Sequence, residues 1–394
     1  MVGYREDANL ETASYADQIP ESTRLYYSPS FQKAAGICAV TQSGTRQYQL
    51  MTFDPAGKGS VSKMTYNGSS FSYTEQDHIF VTEDGKILAG GIVFDPEKGT
   101  YKGMTFTGEA PKKLHDASVK DPNGSVITCT AEMNPNDQKY YLLCYENGVL
   151  MDQVLMTLQP LKSFSFYSYH CLSAGANGYA VVSVSEEYNG PYSFAVYSWK
   201  DKTWLEAPYL DTSEEDTVCL ANKNPWSAVL KQDGTLALYD ISSGERRILM
   251  GDGLSSSNTS KMMFDPEDRR LFVFTKSGDL SIYDTKDGTL LNHTSYARQN
   301  LRFYKEARYD VQIIPDSSRI LVIHDNTLYR EPVALVYDME TMEPADSFYG
   351  VSAYLPQTGK VLTASYQSQI SYAPLYTLED MRHMAEIILG NENP

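Results

Sequence analysis

The chain has 394 residues and a hydrophobic fraction of 42%, which is too apolar for disorder by composition. Its formal net charge of −17 would repel phosphate backbones, so we expect no nucleic-acid partner. No stretch reaches the ~20 apolar residues of a membrane-spanning helix, so we expect no membrane insertion.

The first residues, MVGYREDANLETAS, lack the basic and apolar regions of a signal peptide, and the five cysteines show no CxxC spacing. Most of these cysteines lie in apolar, strand-like runs, so we expect buried thiols and a reducing compartment. The predicted location is cytoplasmic, or extracytoplasmic if an anchor has been removed upstream.

An aromatic residue followed by Asp closes several apolar runs, and a Gly usually follows a few positions later. Clear copies begin at Phe53, Phe94, Tyr239 and Tyr283, and degenerate copies begin at Tyr145, Tyr197 and Tyr337. This pattern is typical of a hairpin in which the aromatic packs, Asp bonds the turn backbone and Gly takes a positive φ.

Beginning with the copy at Phe94, another turn precedes each aromatic-Asp turn. The preceding turns are Glu83–Lys86, Asn134–Asp137, Gly175–Gly178, Lys223–Pro225, Asp265–Asp268 and Pro315–Ser318, with an unpartnered last copy at Pro356–Gly359. Two turns at a period in the forties indicate three or four strands per unit, which is the content of a β-propeller blade.

The first strands of these units predict eight starting points along the chain. They lie near Arg24, His78, Val126, Tyr169, Thr217, Lys261, Tyr309 and Val351. The last unit has only three strands, and residues 8–16 could supply its missing outer strand. We therefore expect an all-β, eight-bladed β-propeller over residues 22–376, with a segment at 1–21 that closes the last blade. Seven blades with a divergent extra segment are the alternative.

The Tyr-Asp turns resemble WD40-type repeats, with Tyr-Asp in place of Trp-Asp, over residues 22–377. The Gly-His dipeptide of standard repeats is missing, so quinoprotein-like and lactonase-like propellers stay open. Residues 377–394 predict a short C-terminal helix, with Thr377 as N-cap and Met381, Met384, Ile387 and Ile388 on one face. This tail is similar to the one that follows propellers in bacterial multidomain signalling proteins, and the resemblance implies a module of a larger protein.

Motifs for phosphate loops, nucleophile elbows, zincin sites and dinucleotide binding are missing from the sequence. The six histidines are too far apart in sequence to suggest a ligand pair, which favours structural roles for them. We therefore expect no catalytic residue, no metal site and no cofactor, and a binding or scaffold function in preference to catalysis. A propeller enzyme, or a sugar or small-molecule binder acting at the channel mouth, is the alternative, and a ligand sensor is a third hypothesis.

Three segments depart from the repeat, at 186–192, 296–309 and 325–331. Residues 296–309 carry four basic side chains and one acidic one in an otherwise acidic chain. Aromatic and Arg side chains on loops are typical of protein interfaces, so we expect a protein or peptide partner there. The predicted binding residues are Tyr188, Tyr192, Arg298, Arg302, Phe303, Tyr304, Arg308, Tyr329 and Arg330. Four strands per unit would place all three segments on one face of the ring.

Overall fold

The strands assemble into eight antiparallel sheets of four strands each. The computed structural model describes residues 11–12, 18–20, 23–28, 30–42, 45–56, 60–67, 79–110, 116–121, 123–157, 169–185, 192–205, 217–249, 254, 256–297, 301–303, 309–314, 318–326, 331–363 and 371–374. No helix within these ranges is long and apolar enough to cross a membrane.

The N-terminal half of the chain supplies the first four blades, after a short strand that belongs to the last blade. That strand is β1 (Glu11–Thr12). The first blade contains β2 (Arg24–Ser28), β3 (Lys33–Gln42), β4 (Thr45–Phe53) and β5 (Ser62–Tyr66). The second contains β6 (Phe80–Val81), β7 (Ile87–Ala89), β8 (Ile92–Asp95) and β9 (Thr100–Gly103). The third contains β10 (Asp116–Lys120), β11 (Val126–Met133), β12 (Tyr140–Glu146) and β13 (Val149–Leu155). The fourth contains β14 (Tyr169–Gly175), β15 (Tyr179–Ser185), β16 (Tyr192–Ser198) and β17 (Thr203–Leu205).

The C-terminal half supplies the other four blades and a 3₁₀ turn at Ser256–Asn258. The fifth blade contains β18 (Thr217–Leu220), β19 (Trp226–Leu230), β20 (Leu236–Asp240) and β21 (Arg246–Leu249). The sixth contains β22 (Thr259–Phe264), β23 (Arg270–Thr275), β24 (Asp279–Asp284) and β25 (Leu290–Ser295). The seventh contains β26 (Tyr309–Ile314), β27 (Arg319–Asn326), β28 (Glu331–Asp338) and β29 (Pro344–Tyr349). The eighth contains β30 (Val351–Leu355), β31 (Lys360–Thr363) and β32 (Ser371–Pro374).

The blades close into a ring around their first strands. The first strands of adjacent blades contact one another, for example in the pairs β10–β14, β14–β18 and β18–β22. The ring closes where β30 of the eighth blade contacts β2 of the first. The architecture is an eight-bladed β-propeller, so the predicted number of blades is confirmed and the seven-bladed alternative is wrong.

The apolar core is divided among the interfaces between blades. Among the described residues, each of eight hydrophobic clusters combines side chains from two neighbouring blades. One cluster joins Met51 of the first blade to Leu362 of the eighth, so the closure of the ring has the same apolar packing as the other interfaces. Burying one such side chain contributes about 1.5–3 kcal/mol, and the ring is therefore stabilised mainly by blade-to-blade packing.

The recurring aromatic-Asp turns have the predicted chemistry. Tyr283 is buried, and the Asp284 carboxylate accepts the backbone N–H of Lys286 at 2.6 Å. Gly288 follows with φ +82°, a conformation that a side chain disfavours. In each of the first seven blades, one of these turns joins the third strand to the fourth. Their aromatic residues are all buried: Phe53, Phe94, Tyr145, Tyr197, Tyr239, Tyr283 and Tyr337.

The third unit begins one strand earlier than the sequence predicts. Its first strand is β10, and Val126 opens the second strand. The turn at Asn134–Asp137 therefore joins the second strand to the third and lies at the opposite end of the blade from its predicted position. The residues of β10, DASVK, are too polar to form a recognisable apolar run.

The eighth blade takes its outermost strand from the start of the chain. β1 pairs antiparallel with β32, with Glu11 opposite Tyr372 and Thr12 opposite Ser371. The predicted C-terminal helix at 377–394 lies outside the described residues.

Candidate functional site

The strand order defines two faces of the ring. In each antiparallel blade, the turn between second and third strands and the connections to neighbouring blades lie at one end, here called the loop face. The aromatic-Asp turns lie at the other end, here called the turn face. The segments at 186–191, 296–308 and 327–330 follow β15, β25 and β27, so the strand ends that flank all three belong to the loop face.

Most of the residues predicted to bind a partner fall outside the described ranges. These are Tyr188, Arg298, Tyr304, Arg308, Tyr329 and Arg330. Tyr192 is the first residue of β16, where it pairs with Ser185 of β15. Arg302 and Phe303 are described, and they have opposite environments.

Phe303 is fully buried, so its side chain does not contribute to a binding surface, contrary to the sequence prediction. Its ring centroid lies 5.1 Å from that of Phe274 and 4.8 Å from that of His324. The Phe303 carbonyl also accepts the Ser260 hydroxyl at 2.7 Å. Leu301 is buried in the same interface between the sixth and seventh blades. These two anchors leave the exposed Arg302 between them on the loop face.

A second candidate surface lies where the second and third blades meet. The Phe106 ring packs edge-on against Tyr141, with centroids 5.6 Å apart, and the Phe106 N–H donates to the Glu132 carboxylate at 2.7 Å. The register places Glu132 opposite Tyr141 and Tyr141 opposite Leu155, so these three side chains form a row on one side of the sheet.

Leu150 lies further along β13, the outer strand of the blade, on the same side of the sheet as this row. It pairs with Tyr145 across a β-bulge, so it lies on the same side of the sheet as Tyr141. Leu150 is 47% exposed and Leu155 is 43% exposed. We call Phe106, Glu132, Tyr141, Leu150 and Leu155 the blade 3 shelf.

The shelf is exposed because the two neighbouring blades differ in size. The strands of the second blade have 2, 3, 4 and 4 residues. Those of the third have 5, 8, 7 and 7 residues. Because the smaller sheet cannot cover the larger one, apolar side chains of the third blade extend beyond the interface into solvent.

Glu132 supplies the carboxylate of the shelf. Burial raises its pKa, while the hydrogen bond from the Phe106 N–H opposes that increase. Within the described part of the chain, no cation forms an ion pair with it. The nearby Asp152 differs, because it accepts the Tyr197 hydroxyl at 2.5 Å and lies 3.9 Å from the Lys202 ammonium.

The described residues show no group of three or more His, Cys, Asp or Glu side chains placed to hold a metal ion. His78 lies outside the described ranges, and only the backbone of His170 is described. His324 is fully buried between blades, with its ring against Phe303 and Tyr309. Cys129 and Cys144 are buried thiols that form no disulfide, with sulfur atoms 3.5 Å apart.

The comparisons with known proteins identify a class of fold. No family model matches the sequence, and no curated protein matches it. Among solved structures, Sqt1 of Chaetomium thermophilum, bound to the N-terminus of ribosomal protein L10, is 12% identical with a TM-score of 0.55. The alignment covers 90% of this chain and 98% of that one. Apo AztD of Citrobacter koseri is 14% identical with a TM-score of 0.44, and 90% of each chain is covered. At these identities the likeness to Sqt1 shows the propeller fold alone.

Proposed function

We propose that this propeller is a non-catalytic module that binds a protein or peptide partner on its loop face. The observation that carries the proposal is the presentation of Arg302 between two buried anchors, Leu301 and Phe303. The backbone that carries this exposed cation is fixed by neighbouring blades, so little backbone conformational entropy is lost when a partner binds.

The composition of the surrounding segment supports a protein partner. Residues 296–309 combine aromatic and Arg side chains, which interfaces favour, and their net positive charge contrasts with the acidic remainder of the chain. Sqt1, which shares the fold, is bound to the N-terminus of a ribosomal protein, so this architecture is compatible with peptide recognition.

The test compares partners captured by wild-type protein, Arg302→Glu and Arg269→Glu from a lysate of the source organism, measured by quantitative mass spectrometry. Arg269 is also exposed, but it lies in a turn on the opposite face, so it controls for a general change in charge. We expect a set of proteins that is depleted for Arg302→Glu and retained for Arg269→Glu. Equal recovery by all three proteins would exclude the loop face around Arg302 as the binding surface.

A further inference from the structure

Outer strand β13 carries a concentration of exposed apolar side chains. Val149, Leu150, Met151 and Leu155 are 67%, 47%, 37% and 43% exposed. The described residues contain four other large apolar side chains with comparable exposure, and these lie on other strands. Leu150 and Leu155 pair with Tyr145 and Tyr141 and share their side of the sheet, whereas Val149 pairs with Glu146 and faces the other side. Exposed apolar residues that cluster on one side of a sheet mark an interaction surface, whereas isolated ones are ordinary.

The shelf also contains a carboxylate that forms no ion pair with any described residue. Glu132 stands two strands away from Leu155 in the same row, with Tyr141 between them. Its only hydrogen bond among the described contacts comes from the Phe106 N–H. A half-buried carboxylate beside aromatic rings gains more from a cation than a fully solvated one does, because screening by water is weaker there.

We propose that the blade 3 shelf binds an extended segment of a partner protein in which a Lys or Arg pairs with Glu132 and a large apolar residue packs on Leu155. The spacing follows from sheet geometry. Adjacent strands are about 4.8 Å apart, so Glu132 and Leu155 are separated by roughly 10 Å. An extended chain covers that distance in about three residues, so the expected motif has the basic and apolar positions three apart.

A second copy of this chain is a poorer occupant. Each copy carries a net charge of −17, and self-association through the shelf would bring two Glu132 carboxylates toward each other. A basic partner segment instead complements both the shelf and the overall charge.

This proposal rests on the proposed function only in taking the partner to be a protein or peptide. It concerns the blade 3 shelf, which is a different surface from the loop face around Arg302. Its test uses shelf variants and leaves Arg302 unchanged, so either proposal can fail while the other holds.

The experiment starts from a phage-displayed library of random ten-residue peptides selected on the 394-residue chain. We expect enrichment of Lys or Arg three positions from Leu, Ile, Met or Phe. A fluorescein-labelled synthetic peptide of the enriched sequence is then titrated by fluorescence anisotropy. Glu132→Gln should weaken its binding about tenfold and reduce its dependence on salt, since the amide keeps the acceptor for Phe106 but loses the charge.

The paired variant Leu150→Ser and Leu155→Ser should abolish binding of this peptide. The matched control is Leu290→Ser with Leu291→Ser, which changes two exposed leucines on the outer strand of the sixth blade and should leave binding unchanged. Circular dichroism melting of each variant separates lost binding from lost folding.

Several results would overturn the proposal. They are a library with no enriched spacing, a peptide whose binding survives the shelf variants at full strength, and a light-scattering mass of a dimer that those same variants convert to a monomer.

Discussion

Glu11 lies opposite Tyr372 in the outermost strand pair of the eighth blade, and the Tyr372 hydroxyl donates to the Pro55 carbonyl in the first blade. The first and last described strands are thereby paired in one sheet, and that sheet is hydrogen-bonded to the first blade where the ring closes. Closure of this kind covers a strand edge that would otherwise be open.

Removing residues 1–12 should therefore lower the free energy of unfolding by about 1–3 kcal/mol, because about two backbone hydrogen bonds are lost. Removing residues 1–9 keeps β1 and is the matched control. Urea denaturation of the two truncated proteins measures the difference. Equal midpoints would mean that pairing of β1 with β32 adds nothing to stability.

Asp268 ties the fifth blade to the sixth. Its carboxylate accepts five hydrogen bonds from residues 222–224, three from backbone N–H groups and two from the side-chain amides of Asn222 and Asn224. Asp268→Ala should cost at least about 3 kcal/mol, because five partly buried hydrogen bonds to a buried carboxylate are lost together.

Glu267→Ala is the control for Asp268→Ala. Glu267 is partly exposed and pairs with Lys223 at 2.7 Å, so its removal should cost less than about 1 kcal/mol. Chemical denaturation compares both variants with wild type. Similar losses for the two would contradict the role assigned to the buried carboxylate.

Arg302 and Phe303 are adjacent, yet their substitutions should have separate effects. Phe303→Ala removes a fully buried ring and should destabilise the fold by about 3–5 kcal/mol. Arg302→Ala should change stability by less than about 0.5 kcal/mol, since its side chain is exposed. Thermal melting distinguishes them, and a large loss for Arg302→Ala would show that the guanidinium has a structural role.

Gly103 supports the segment that carries Phe106. A Cβ at this position would come within 1.7 Å of the Glu109 carbonyl oxygen, which belongs to the backbone of the same loop. Gly103→Ala should therefore displace the loop and weaken binding of the shelf peptide, with a lower melting temperature. Thr107→Ala, in the same loop, should leave peptide binding within about twofold of wild type. Full binding by Gly103→Ala would contradict the dependence of the shelf on this loop.

Asp338 should make the stability of the fold sensitive to acid. The backbone N–H of Thr341, chief among several donors, holds the pKa of this carboxyl below its usual range. A group with a depressed folded-state pKa stabilises the fold above its unfolded pKa of about 3.9, and that contribution is lost as the pH falls through the folded value. Asp338→Asn keeps an acceptor oxygen without titrating, so its melting temperature should fall less than that of wild type between about pH 5 and pH 2.5. Equal decreases in melting temperature for wild type and Asp338→Asn over this pH range would contradict the role of Asp338.

Seven of the eight blades could be recognised from sequence because each contains an aromatic-Asp turn, which depends on local chemistry. Asp hydrogen-bonds to the backbone of its own turn and Gly adopts a positive φ whatever the tertiary structure. Each copy therefore indicates a hairpin from local sequence alone. The first strand of the third blade could not be found this way. DASVK has little apolar character, and the Asn134–Asp137 turn resembles the turns at the opposite end of other blades.

The candidate site was less accessible to sequence analysis. Phe303 sits beside arginines in an irregular segment, and only the packing of β23 and β27 around it reveals that it is an anchor. The shelf depends on the mismatch in size between two blades, which a single sequence pattern does not encode. One signal was present, because VLMDQVL is unusually apolar for the outermost strand of a blade.

Hydrogen–deuterium exchange of the propeller, measured with and without its captured partner, tests directly whether the loop face binds a protein. We predict slower exchange in peptides that cover residues 296–309, and unchanged exchange in the aromatic-Asp turns at 240–244 and 284–288 on the opposite face. Slower exchange in those turns, with unchanged exchange at 296–309, would show that the partner binds the turn face instead of the loop face.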